Sequence, residues 1–140
     1  MKALTVRMPW ATLIATGQKT VEVRSWRTAH RGDLVICSSA SVTALETDLC
    51  DAFDVDPSVR GCVQAIVRVV DCRPMTADDI TPAWLDHLPR DVAAALVKAS
   101  FAWVIEDPRP ARIVQPVRGA LNLWTIDPSV VTAAQCGGAS

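Results

Sequence analysis

Residues 15–28 read "ATGQKTVEVRSWRT". Val21 and Val23 alternate with Glu22 and Arg24, the period of a strand with one packed face. Gly17 can take a left-handed turn into that strand, and Lys19 stands at its entrance. The valines suit the packed face. Glu22 and Arg24 then share the opposite face, about 7 Å apart along the strand. Three charges so close together admit two readings. One is a solvated edge with a surface ion pair, worth under about 1 kcal/mol. The other is the wall of a binding site.

Upstream, "KALTVR" (2–7) alternates as a strand, and Pro9 opens a helix in which Trp10, Leu13 and Ile14 share a face. Its N-terminal N–H groups suit an anion. Gly17 ends it as a left-handed cap. The second strand covers 19–25. Downstream, Arg31-Gly32-Asp33 turns into a buried strand at 34–38, and Leu45, Leu49 and Phe53 recur at fourfold spacing in a helix over 41–53. Residues 61–71 form a long β-branched strand. Residues 73–100 are punctuated by prolines, with short helical turns and a brief helix at 92–100. "FAWVIED" (101–107) is a strand broken by Pro108 and Pro110, "ARIVQPV" (111–117) continues it, Gly119 turns, and "ALNLWTID" (120–127) closes. About six short strands, two to four short helices and no repeated βαβ rhythm predict an α+β fold, a small mixed β-barrel decorated with helices. One domain is expected over 1–128, with a flexible tail at 129–140.

Half of the 140 residues are hydrophobic, enough for a real core. No apolar run approaches the roughly 20 residues of a membrane helix, and "MKALTVRMPW" lacks the core of a secretory signal. Five cysteines without a CxxC pair read as small core hydrophobes in a reducing cytosol. Neither His30 nor His87 has metal-ligand spacing to a cysteine, so no metal and no cofactor are expected. The net charge of −1 conceals an asymmetry: residues 1–32 hold six bases against one acid, 33–107 thirteen acids against five bases, and 108–140 three bases against one acid. If the two basic ends meet, they form a positive face suited to an anionic ligand.

The run Gly17-Gln18-Lys19-Thr20-Val21-Glu22-Val23-Arg24 matches G-x-K-x-x-E-x-R and resembles the signature of the ASCH domain family, a branch of the PUA-like β-barrels. Arg7-Met8-Pro9-Trp10 upstream, "RTAHRGDLVICSS" after it and "PVRGAL" (116–121) downstream extend the likeness. It covers 2–39 well and 61–72 and 101–127 moderately, and leaves 40–60 and 73–100 unmatched. The resemblance implies a barrel with a cleft beside the helix before the signature strand, where members bind RNA or nucleotides. Some small members hydrolyse N4-acetylcytidine, and one branch cleaves RNA. The amidohydrolases use a threonine three positions after the lysine, where this chain has Glu22, and Ser38-Ser39 stands where members often carry His-Ala.

The expected ligand is thus RNA or a nucleotide or nucleoside, with no membrane partner. The expected cleft residues are Lys19, Glu22, Arg24, Trp10, Trp26, Arg7 and Arg118. Glu22 should hold Lys19 as an ammonium clamp and accept from a base amine; Arg24 suits a phosphate; Trp10 and Trp26 suit base stacking. A hydrolase would use Lys19 and Glu22 as its reacting pair in a concave pocket with a desolvated lysine, and His30 in RNA cleavage. A binding module would show a basic groove past Arg7, Arg24, Arg27 and Arg118. A regulatory interaction module would show an exposed apolar patch, for instance on 41–53. Trp103 and Trp124 are expected in the core.

Overall fold

The structure, a computed structural model, describes residues 1–136. Six strands form one mixed sheet: β1 (Lys2–Val6), β2 (Val21–Arg24), β3 (Gly32–Ser38), β4 (Val63–Pro74), β5 (Phe101–Pro110) and β6 (Leu123–Thr125). Their order is β2-β5-β4-β3-β1-β6, with β1 and β3 parallel and every other pair antiparallel. The sheet curls into a half-barrel carrying four helices, α1 (Trp10–Ala15), α2 (Ala44–Ala52), α3 (Arg90–Ala99) and α4 (Pro128–Cys136). Its concave side is filled by Leu4, Leu13, Ile14, Leu34, Ile36, Val67 and Trp103, all essentially without solvent exposure.

Helix α1 lasts one and a half turns. Gly17, at φ +80°, ends it: its N–H donates to Ile14 O and that of Gln18 to Leu13 O, the paired bonds of a Schellman cap. So short a helix offers no N-terminal anion site, and that expectation for the Pro9–Trp10 junction is withdrawn.

Three further expectations change. Pro108 and Pro110 do not break β5. The β2 partnership stops at Val104, so the far half of β5 needs hydrogen bonds to β4 alone and tolerates prolines. Residues 111–117 form no strand; they hold to the start of β4 by the Ala111 N–H on Gln64 O and the Val63 N–H on Gln115 O, beside an isolated bridge of Cys62 to Pro116. The expected tail is a helix over 128–136: Val131 and Ala134 are buried against Ala3, Val35, Cys37, Val63 and Ile126, and Ala134 O accepts from Arg112 N at 2.9 Å. The rest of that tail, 137–140, lies outside the described residues.

Helix α2 is capped by Thr43 in a capping box: the Glu46 N–H donates to the Thr43 hydroxyl oxygen, and the Thr43 N–H donates to the Glu46 carboxylate. It buries Glu46 and Cys50 and leaves Leu45 exposed, so its inner face is not the Leu45–Leu49–Phe53 stripe. The segment 75–97, opaque in sequence, packs Met75, Ile80, Ala83, Leu85, Leu96 and Val97 onto Val21, Val23 and Ala102. This explains why the valines of β2 need a packed face of their own. No helix of the described residues is long and apolar enough to cross a membrane.

Candidate functional site

The half-barrel ends in two edges, β2 on one side and β6 beside β1 on the other. An exposed edge strand presents unpaired N–H and C=O groups. At β2 the protein fills them with its own side chains. Lys19 Nζ donates to Val21 O at 2.6 Å, and the Val23 N–H donates to Glu22 Oε1 at 3.1 Å. Across the seam, β6 pairs with β1 only over Lys2–Leu4, and the next carbonyl, Thr5 O, accepts from Arg24 Nη2 at 3.0 Å. Side chains of the signature strand therefore close the seam that no strand closes.

Glu22 is the centre of this stitch. It is 5% exposed. Its Oε2 accepts from Arg24 Nε and Nη2 at 3.1 and 2.9 Å, and its Oε1 lies 3.3 Å from Lys19 Nζ. Burial alone would raise its carboxyl pKa; Lys19 and Arg24 outweigh burial and hold it below the ordinary value. Lys19 is equally buried. Burial pulls its pKa down and outweighs the upward pull of Glu22, so the net shift is downward although the carboxylate favours the ammonium as the sequence reading expects. Its third acceptor is Ala83 O at 2.9 Å, and an ammonium has three N–H donors. Lys19 thus spends every donor inside the protein.

Beside the stitch opens a cleft of about 990 Å³, at the upper end of small-molecule sites. Its lining includes Thr5 and Val6 of β1 with Arg7 just beyond, Trp10, Lys19, Glu22 to Arg24, and Ser39 to Ser41. Leu85, Leu96 and the strap 116–122 complete the lining. The walls are mostly apolar. The strap is held by a close approach: a Cβ on Gly119 would sit 2.5 Å from Thr5 Oγ1, so only glycine lets the chain pass there. That passage sets Arg118 at the cleft, exposed and with no ion pair or hydrogen bond among the described residues.

Residues 4–105 match the sequence model of the ASCH domain family. The chain belongs to the ASCH domain family. Activating signal cointegrator 1 of Homo sapiens is 29% identical to it over 147 aligned positions, covering 96% of this chain and 24% of the relative. The Mus musculus protein of the same name is 28% identical, with the same coverage. The chain thus spans about a quarter of the length of the curated relatives it matches. Its fold is similar to that of ASCH from Zymomonas mobilis, with TM-score 0.58, 12% identity, and coverage of 94% of this chain and 90% of that one. A mutant form of the same protein gives TM-score 0.58, with 94% and 93% covered.

Of the seven residues singled out in sequence, this ASCH chain brings six to the cleft: Arg7, Trp10, Lys19, Glu22, Arg24 and Arg118. Trp26 is not among them. It packs edge-on to Trp103, ring centroids 4.8 Å apart, and accepts the Trp103 indole N–H on its carbonyl. Arg27 lies over the Phe101 ring at 5.1 Å rather than along the cleft. Both Glu22 oxygens are taken, so the expected bond to a base amine has no free acceptor. His30 points its Nε2 at Asp33 O, in a turn away from the cleft lining. Trp103 is in the core as expected; Trp124 is half-buried and donates to Thr5 Oγ1 at 3.1 Å. The apolar residues of 85–96 and the strap residues Ala120–Asn122 were missed. Only "PVRGAL", noted for likeness, pointed to part of the strap.

Proposed function

We propose that the chain binds a nucleotide unit, free or within single-stranded RNA, in the seam cleft. One observation carries this reading: an apolar cleft with an indole on its wall also holds two cationic groups with donors to spare. Trp10 is fixed by its indole N–H on Trp84 O at 3.2 Å and flanked by the His87 ring, centroids 6.1 Å apart, and the part of its ring that lines the cleft offers a base an apolar surface. Arg24 keeps Nη1 without a partner among the described residues, and Arg118 is unpaired. Together they suit one phosphate. Membership of a family associated with RNA binding supports the same reading.

The concave cleft and the lowered Lys19 pKa favour a second reading, hydrolysis of a modified nucleoside by Lys19 and Glu22. It ranks second because a general base needs a free lone pair in reach of substrate. Lys19 donates to three acceptors and Glu22 accepts on both oxygens.

The test is anisotropy of a labelled single-stranded hexa-adenylate titrated with the full chain over a range of salt, with N4-acetylcytidine and the RNA chromatographed after incubation. Saturable, salt-dependent binding with both compounds intact is the expected result. No binding at low salt contradicts the reading, and deacetylated cytidine replaces it with the second.

A further inference from the structure

We propose that Arg7 holds the ligand's base by stacking, through the flat face of its guanidinium, rather than holding a phosphate. This rests on the nucleotide reading of the cleft. A guanidinium carries five N–H donors, all in its plane. Four are committed within the protein. Nε and Nη2 fork onto the two Glu46 oxygens at 2.8 and 2.6 Å, and Nη1 donates to Ser39 Oγ at 3.1 Å and Ser41 Oγ at 3.3 Å. Glu46 is fixed in turn, since its Oε1 also accepts the Thr43 N–H at 2.9 Å in the capping box of α2.

A single in-plane donor, the second N–H of Nη2, is left without a partner among the described residues, yet the Arg7 side chain stays 44% exposed on the cleft wall. A planar cation with four of its five edge donors committed offers a ligand chiefly its faces. Unstacked bases pack on guanidinium planes as they do on aromatic rings. The charge argues the same way. Glu46 neutralises Arg7, whereas Arg118 has no counter-charge among the described residues, so a phosphate is drawn to Arg118 first. The ligand class that follows is one with a planar base, for which Arg7 and Trp10 supply two flat surfaces in the cleft lining; a base-free ribose phosphate would leave both unused.

Three variants of the full chain separate the roles, each titrated with labelled hexa-adenylate across salt. R7Q/E46Q removes one charge of each sign, and glutamine keeps the capping box. Arg7→Lys keeps the charge and an ion pair to Glu46 but discards the plane, and preserves the fold should the double variant not express. Both are expected to weaken binding about tenfold, the lower part of what one stacked base contributes. Their log–log salt slopes should match the wild type, while Arg118→Ala flattens the slope by about 0.7, one phosphate on a single strand. A lysine variant that binds like the wild type, or a flattened slope in R7Q/E46Q, overturns the stacking role and leaves the cleft reading standing. A wild type that does not bind overturns both.

Discussion

Glu22 joins two cations, Lys19 and Arg24, and one edge amide, that of Val23, into a single buried knot. Removing one member of a buried ionic cluster strands the others, at a cost of about 3–5 kcal/mol. Glu22→Gln should therefore lower stability by that order in a urea titration at pH 7. The variant should also respond differently to acid. The folded Glu22 pKa lies below its ordinary 4.5, so its contribution is complete above that pH and is lost as pH falls through the folded value. The wild type should lose melting temperature below about pH 4.5 more steeply than Glu22→Gln, with the Arg73–Asp79 pair supplying a decline common to both. Equal slopes would deny Glu22 its coupling to the two cations. At this scale the sequence was informative about position and less so about role. Alternation placed Glu22 and Arg24 on one face. That Lys19 would exhaust its donors on Val21 O, Ala83 O and Glu22 was not legible, because Ala83 arrives from 64 residues away.

The elements around the cleft depend on two glycines for different reasons. Gly17 needs its left-handed φ, and the cap it makes was readable from one residue after a short apolar helix. Gly119 needs the absence of a side chain against Thr5. Gly119→Ala should push the strap off β1 and cost about 1–3 kcal/mol, the usual range for overpacking. Thr5→Ala should relieve it, since only the Thr5 Cβ, at 3.4 Å, would then oppose the new methyl. A double variant no more stable than Gly119→Ala would mean that the strap is held elsewhere. The strap was hard to foresee because its anchor is a contact between residues 114 positions apart in sequence, with no periodicity of its own. The same holds for 75–97, whose prolines hide the apolar residues that cover the valines of β2.

Across the whole molecule, the ASCH half-barrel leaves its sheet open and lines the gap with the signature strand. The strand count and the α+β class followed from alternation and turn residues, and the octet from Gly17 to Arg24 pointed to the family. The C-terminal helix did not follow, since "PSVVTAAQC" carries no charge to mark an outer face. Ending the chain at Asp127 would uncover Ala3, Val35, Cys37, Val63 and Ile126 and remove the carbonyl that caps Arg112. A loss of roughly 2–4 kcal/mol is expected from the apolar area alone, read as a lower melting temperature. The central claim is that the open seam is a nucleotide site, and amide and indole NMR spectra recorded while adenosine monophosphate is added test it most directly. The Trp10 indole and the amides of Arg118 to Asn122 should shift together and saturate, while the Trp26 and Trp103 indoles stay in place. Shifts confined to other surfaces, or none at millimolar nucleotide, would contradict it.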